Sequence, residues 1–339
     1  LIVCSFFLAA CQQPSSKTTD STKSANANQP MLNVQFSAEM GSADLSLATD
    51  SYSFITLNNA YEGLYRLDEN NEPVIAGASE DAMISEDGVV YTIKLREDAK
   101  WSNGEPVTAE DYVFSWQRTV DPATASNYAY MLAPVKNAAA ISDGTKDKSE
   151  LGIEAVTSHE LKITLEKATP YFKSLLAFPT FFPQSEAVVQ EHGDQYALTS
   201  ANAVYNGPFT LEDYDGPGTD IQWTLKKNPE YWDAESVKLS GVQFDVVKES
   251  STSYNLYESG QADDITLSGE LAMQNVNHKD YVVQPSATTQ YLEMNQAAED
   301  SPFRNEKLRQ AISYSLNRQQ IVDQILGNGS LPAVGFVPS

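Results

Sequence analysis

Apolar positions along this chain switch repeatedly between a two-residue and a helical period. Leu32, Val34 and Phe36 alternate with polar neighbours and predict a first strand. A polar stretch, Ala43 to Phe54, leads into a helical pattern carrying Ile55, Leu57 and Tyr61. Val89, Tyr91, Ile93 and Leu95 then alternate with Val90, Thr92 and Lys94, the period of a half-buried strand. Asp87-Gly88 before it and Asn103-Gly104 after it are turn pairs, because both tolerate positive φ. Thr108 stands where a helix starts, with Asp111 three residues on to reach back as in a capping box. Pro106 keeps Glu105 out of that helix. Tyr112, Val113 and Trp116 follow at helical spacing and predict its buried face.

The pattern continues in the same mixed style. Leu161, Ile163 and Leu165 alternate as a strand, and Pro170-Tyr171-Phe172 opens a helix carrying Leu175, Leu176 and Phe178. Asn206-Gly207-Pro208-Phe209 is a turn into a strand, and two more alternations follow at Ile221, Trp223, Leu225 and at Val242, Phe244, Val246. Ser253 to Asp263 predicts a helix ended by Gly260. Gln290 to Asn295 predicts a last strand, with Tyr291 and Glu293 on one side of it, two apart. Phe303 to Leu316 predicts a helix with Leu308, Ala311, Ile312 and Leu316 on one face. Asn317 with Gln320 caps another, which carries Ile321, Val322, Ile325 and Leu326 and closes at Gly327. Strands and helices interleave without a repeat of solenoid length.

Charge narrows the partners. The 339 residues hold 22 Lys and Arg against 46 Asp and Glu, a net charge of −24. A chain this acidic lacks the basic face that phosphate binding needs, which excludes nucleic acid as a partner. It equally disfavours adsorption to anionic lipid. Its acidity serves solubility and biases any ligand toward cations.

At the N-terminus, Leu1 to Ala10 is uncharged and apolar apart from Ser5, too short to span a bilayer and shaped like the end of a signal-peptide core. No initiator methionine precedes it, so the sequence is expected to start late. Leu8-Ala9-Ala10-Cys11 matches the lipobox of bacterial lipoproteins, which makes the Cys11 thiol the acceptor of a diacylglyceryl group. The only cysteines are Cys4 and Cys11; cleavage removes one and lipidation blocks the other, leaving an exported body without disulfides. Gln12 to Pro30 is rich in Ser, Thr, Asn and Gln and reads as a flexible tether.

Catalytic signatures are absent. His159, His192 and His278 are far apart and form no HExxH, and there is no GxSxG, Walker loop or GxGxxG; Gly216-Pro217-Gly218 lacks the third glycine. Asp68, Asn70 and Glu72 have the spacing of a calcium loop, but Pro73 stands where that loop needs glycine. No catalytic residue, metal ligand set or cofactor is therefore assigned.

Read as phrases, EGLYRLDEN from Glu62, SEDGVVYTIKLRE from Ser85 and KWSNGEPVTAEDYVFSWQR from Lys100 resemble the extracellular solute-binding proteins of family 5, the oligopeptide-binding lipoproteins of peptide ABC importers. Asp121 to Tyr130, Asn206 to Phe209, Lys227 to Asp233 and Gln290 to Asn295 match the same family, so the likeness runs from about Leu32 to Ser339. The resemblance implies the α/β class with mixed sheets, in a type II periplasmic-binding-protein-like fold: two α/β lobes joined by crossover strands, with a small domain inserted in the first. On this chain it implies residues 1–10 as the end of a signal peptide and 11–30 as lipidated tether. Lobe I would comprise 31–60 with 186–286, the inserted domain 61–185, and the start of lobe II 287–339. Family members continue well past the position of Ser339, so the second lobe is expected to be incomplete and the chain a fragment lacking half its binding site.

The implied function is capture of extracellular oligopeptides and delivery to the permease and ATPase subunits of an ABC importer, at the outer face of the bacterial cell membrane. The chain would not be an enzyme. The implied ligand residues are Thr49, Asp50 and Ser51, which equally suit a helix N-cap; Tyr128, which equally suits a packing aromatic; Asn255; and Tyr291 with Glu293. A dedicated receptor for a signalling peptide such as a pheromone is the alternative within the fold. An extracytoplasmic hydrolase is the alternative outside it.

Overall fold

The computed structural model describes residues 29–218, 220–284 and 286–338; the signal-peptide end, Cys11 and nearly all of the tether lie outside the described residues. The elements run β1 (Met31–Phe36), α1 (Ser51–Ala60), β2 (Tyr65–Leu67), β3 (Pro73–Ile75), β4 (Met83–Ile84), β5 (Val90–Lys94), α2 (Ala109–Val120) and α3 (Ala138–Ser142). There follow β6 (Ile153–Thr157), β7 (Glu160–Thr164), α4 (Phe172–Leu175), α5 (Glu186–His192), β8 (Phe209–Glu212), β9 (Gln222–Lys227), β10 (Gly241–Val246) and α6 (Ser250–Glu258). Last come α7 (Gly269–Asn275), α8 (Glu306–Ser315) and α9 (Arg318–Gln320), the last running on as π-helix over Ile321–Leu326.

Two four-stranded sheets organise the chain. The first has the order β1-β10-β9-β8. In it β1 and β10 run parallel, Met31 opposite Gly241 through Phe36 opposite Val246, while the other pairs are antiparallel. The second, β4-β5-β7-β6, is antiparallel throughout. It lies wholly within the sequence span between α1 and β8, and β2 with β3 forms a separate hairpin there. The mixed α/β class is thus observed.

The alternating positions are the buried ones: Tyr91, Ile93 and Leu95 on β5 and just past it, Leu161 and Ile163 on β7, Trp223 and Leu225 on β9. Gly88 holds φ +71° in the turn before β5, which an L side chain resists. The expected capping box opens α2: the Asp111 carboxylate accepts the Thr108 N–H at 2.9 Å and the Thr108 hydroxyl at 3.2 Å. Tyr112 and Trp116 are buried on the inner face of α2. One hydrophobic core runs unbroken from Phe36 and Phe244 through Leu57 and Trp116 to Ile163, so the two sheets share it.

Four expectations need correction. Gln290 to Asn295 forms no strand; no described strand pairs with it, and Tyr291 and Leu292 stand 63% and 66% exposed. An isolated extended segment has neither ladder bonds nor cross-strand packing to hold it. The helix after Pro170 is a single turn, because Phe178 precedes Pro179 and takes extended angles (φ −97°, ψ 140°). Helix α6 begins at Ser250 rather than Ser253. Phe303 sits outside α8, since Asn305 caps the helix by accepting from Lys307 N and Leu308 N. No described helix is long and apolar enough to cross a membrane.

Candidate functional site

The parallel pair marks the candidate site. In open α/β sheets, ligands lie outside the carboxyl ends of strands, where the following chain turns away and leaves a crevice. Strands β1 and β10 end side by side, with Val247 N donating to Phe36 O at 2.8 Å. Each then feeds a helix of nine residues or more, α1 and α6. The strand exits are also tied by side chains: Lys248 Nζ lies 2.6 Å from Glu39 Oε1. The hydrogen bond from Lys248 holds the Glu39 carboxyl below its ordinary range. Ser37 Oγ and Tyr52 OH are 2.6 Å apart, and the Phe36 and Tyr52 rings meet at 4.5 Å. Sequence reading missed Glu39 and Lys248; each follows the last alternating residue of its strand by two or three places, which is where a strand-end site draws its side chains.

Thr49, Asp50 and Ser51 lie at the start of α1 and divide by role. Asp50 is the N-cap, as its residue type allowed. Its carboxylate accepts Ser53 N at 2.8 Å, Ser53 Oγ at 2.6 Å and Gly41 N at 3.1 Å. Both carboxylate oxygens are therefore spent on holding the loop 41–50 against the helix. Thr49 and Ser51 are exposed beside it. One turn into α1, Phe54 meets the Tyr128 ring edge-on at 5.3 Å, and Phe178 stacks on Tyr128 at 5.9 Å with planes 7° apart. Burial first, then the charges of Tyr130 and Asp50, raise the Tyr128 phenol. Tyr128 is thus both packed and half-open, and it shares the α1 end with residues 49–51. Asn255 is exposed on α6, the helix at the second strand exit. In the turn before it, the Ser253 hydroxyl donates to Gln35 Oε1 and seats α6 on β1. Tyr291 and Glu293 stand apart from this group: Tyr291 meets Phe336 at 5.1 Å, and no described hydrogen bond or ring contact joins either to the α1 end.

A second, buried cluster was not foreseen. Glu62 is 6% exposed. Its Oε1 accepts Trp232 Nε1 at 2.7 Å and its Oε2 accepts the Tyr231 hydroxyl. Asn206 spans the Glu62 backbone, accepting its N–H at 3.0 Å and donating to its carbonyl at 2.9 Å. Asn228 Nδ2 donates to Gly207 O at 2.9 Å. Arg96 lies over the Trp232 ring, 3.4 Å from its centroid. Burial pushes the Glu62 carboxyl up despite these donors. Three phrases far apart in sequence therefore meet in one polar knot. Nearby, Arg118 grips Asp44 with two nitrogens at 2.8 and 2.6 Å and Gln184 at 2.8 Å, joining the loop before α1 to α2 and to the chain returning toward α5.

Comparison with known proteins identifies the relatives of this chain. The profile of the bacterial extracellular solute-binding proteins, family 5 (middle), matches residues 72–339. A dipeptide-binding protein of Lactococcus lactis subsp. cremoris is 38% identical over 318 residues, covering 90% of this chain and 57% of its own length. Among solved structures, Listeria monocytogenes OppA bound to peptide superposes with a TM-score of 0.88 at 47% identity, over 92% of this chain and 61% of that one. The pheromone receptor PrgZ superposes at 0.89 with 39% identity over the same shares. The chain spans about three fifths of the length of the relatives it matches.

Proposed function

Since the chain belongs to the bacterial extracellular solute-binding proteins of family 5, we propose that it captures extracellular oligopeptides and hands them to an ABC importer. The observation that carries this reading is the side-by-side exit of the parallel strands β1 and β10, the kind of place where α/β sheets hold ligands. Thr49 and Ser51 are exposed at the start of α1, the helix after β1, Asn255 is exposed on α6, the helix after β10, and Tyr128 packs on Phe54 of α1. An extended peptide there pairs through its main chain with the exposed loop backbone, a mode that gives affinity with little dependence on side chains. Tyr291 and Glu293 act on the same ligand from a second lobe that begins near residue 287, and residues 61–185 form the inserted domain. Asp50 acts through the loop it holds, not as a direct ligand. Capture is non-catalytic, and closure of the lobes is a hinge motion sensed by the permease.

The same reading places the protein at the outer face of the cell membrane, held through lipid on Cys11. Replacing Cys11 by Ala is expected to release it from membranes and abolish labelling by a fatty-acid probe; retention with label would refute the anchor. For the ligand, titration calorimetry against a mixed pool of short peptides is the test, run on the 339-residue chain and on the product of the complete reading frame. Tight binding is expected of the second and weak binding of the first; no binding by either would refute the function. A receptor for one signalling peptide is the second reading, supported by the likeness to PrgZ. It predicts binding to one sequence in the pool and not to many.

A further inference from the structure

We propose that the aromatic cluster on the first turn of α1 is a shelf that selects one side chain of the bound peptide; the inference rests on the oligopeptide reading above. Four rings make the shelf: Phe54, Tyr128, Phe178 and Tyr130. Phe54 and Phe178 meet at 4.8 Å, Tyr128 touches both, and Tyr130 extends the row 5.7 Å beyond Tyr128. Phe54, Tyr128 and Phe178 are half-buried, and Tyr130 is 63% exposed. The rings come from three separate segments, α1, the turn at 128–130 and the pre-proline Phe178, so the row is built by the fold and not by one amphipathic helix.

The row is continuous with the start of α1, where the exposed Thr49 and Ser51 offer main-chain and hydroxyl partners. A peptide lying there turns alternate side chains to opposite faces, and one of them meets the shelf. Among the described residues, neither the Tyr128 nor the Tyr130 hydroxyl has a hydrogen-bond partner. A half-buried Tyr128 and an exposed Tyr130 present an apolar body and a wet tip, the composition that favours burying an aromatic ring edge-on or offset. Phe178 is a positioning residue, since its stacking fixes the Tyr128 plane. The occupant is thus an aromatic side chain of the bound peptide at one register. Selectivity at that register is superimposed on main-chain binding that is otherwise indifferent.

The test uses penta-alanine and the five pentapeptides with a single Phe, titrated into the product of the complete reading frame. One register is expected to bind about tenfold tighter than penta-alanine, the order of an aromatic contact plus ring burial. Tyr130→Ala and Phe178→Leu are each expected to bring that ratio to within about twofold, with near-UV dichroism confirming a folded core. Tyr171→Ala, which removes an exposed tyrosine outside the row, is expected to keep it. Equal affinity for all six peptides, or a ratio that survives both shelf substitutions, would overturn the shelf and leave oligopeptide capture standing. Absence of binding to any of them would overturn both.

Discussion

Replacing Glu62 separates two things a buried carboxyl does. Glu62→Ala leaves the Tyr231 hydroxyl and the Trp232 indole N–H without their acceptor. A stranded buried donor costs about 1–3 kcal/mol and Trp232 is only half-buried, so a loss of about 2–5 kcal/mol is expected in urea unfolding at pH 7. Glu62→Gln is a different case. Its amide oxygen still accepts from Trp232, and its nitrogen donates to Tyr231, which reverses role. The change is expected to stay within about 1 kcal/mol of the parent at pH 7. The pH dependence then tests the charge. Burial raises the Glu62 carboxyl in the folded state, while the unfolded side chain titrates near ~4.3. A raised acid binds its proton more tightly folded than unfolded. It therefore adds stability that is full below about pH 4.3 and is lost as pH rises through the folded value. Glu39, Asp81 and Asp121 are held down by lysines and work the other way, losing stability as pH falls. The parent curve mixes these effects, whereas the difference between parent and Glu62→Gln cancels the shared ones. The parent is expected to gain on the Gln variant as pH falls through the raised folded value, between pH 8 and 4.5. A flat difference across that range, or a Glu62→Ala cost below about 1 kcal/mol, would refute the account of a desolvated, doubly bonded carboxyl.

Other substitutions probe the joints between segments. Asp44→Asn strands the Arg118 guanidinium, only 18% exposed against an Asp44 side chain at 6%, and is expected to cost about 3–5 kcal/mol; pairing it with Arg118→Met should cost less than the two single changes summed, as a double-mutant cycle in urea would show. Gly207→Ala drives a Cβ to 2.7 Å from the Ala60 carbonyl and the Tyr61 nitrogen, so a Tm fall of several degrees or insoluble expression is expected. By contrast Gly104→Ala meets nothing within 4 Å, and only its φ of +90° resists the side chain, for a cost of about 1 kcal/mol. Asp50→Ala removes the α1 cap and should cost about 1 kcal/mol while speeding hydrogen exchange at the Ser53 and Gly41 amides.

Most of the fold was legible where local signals coincided. In the Asp87 to Trp116 stretch, turn residues, a period-two run and a capping pair are contiguous, and all three were found in place. Legibility failed where an element depends on a neighbour. Gln290 to Asn295 has the composition of a strand, but strand formation is a property of pairs, and no described strand lies beside it. The helix after Pro170 failed for a local reason that was in view: Pro179 bars Phe178 from helical angles.

The site was legible only in part, for a physical reason. Thr49, Asp50 and Ser51 are residues common at any helix start, and Tyr128 is one tyrosine among 17, so nothing in their types sets them apart. What brings Glu39 and Lys248 together, and sets the helices carrying Ser51 and Asn255 at neighbouring strand exits, is the parallel pairing of β1 with β10, strands far apart in the chain. The phrases that stand out in the sequence answer to a stricter demand. A carboxylate buried at Glu62 must find donors, and Trp232 and Tyr231 supply them. Asn206 and Asn228 each tie down two chain segments that would otherwise bury unpaired backbone groups. A residue bound by several such requirements at once has few substitutes, and so it reads as a word. A site of the kind proposed, built from exposed backbone and open hydroxyls, makes no comparable demand on residue type. The most recognisable phrases therefore report how the segments are tied together, and the ligand surface is reached only after the strands are paired.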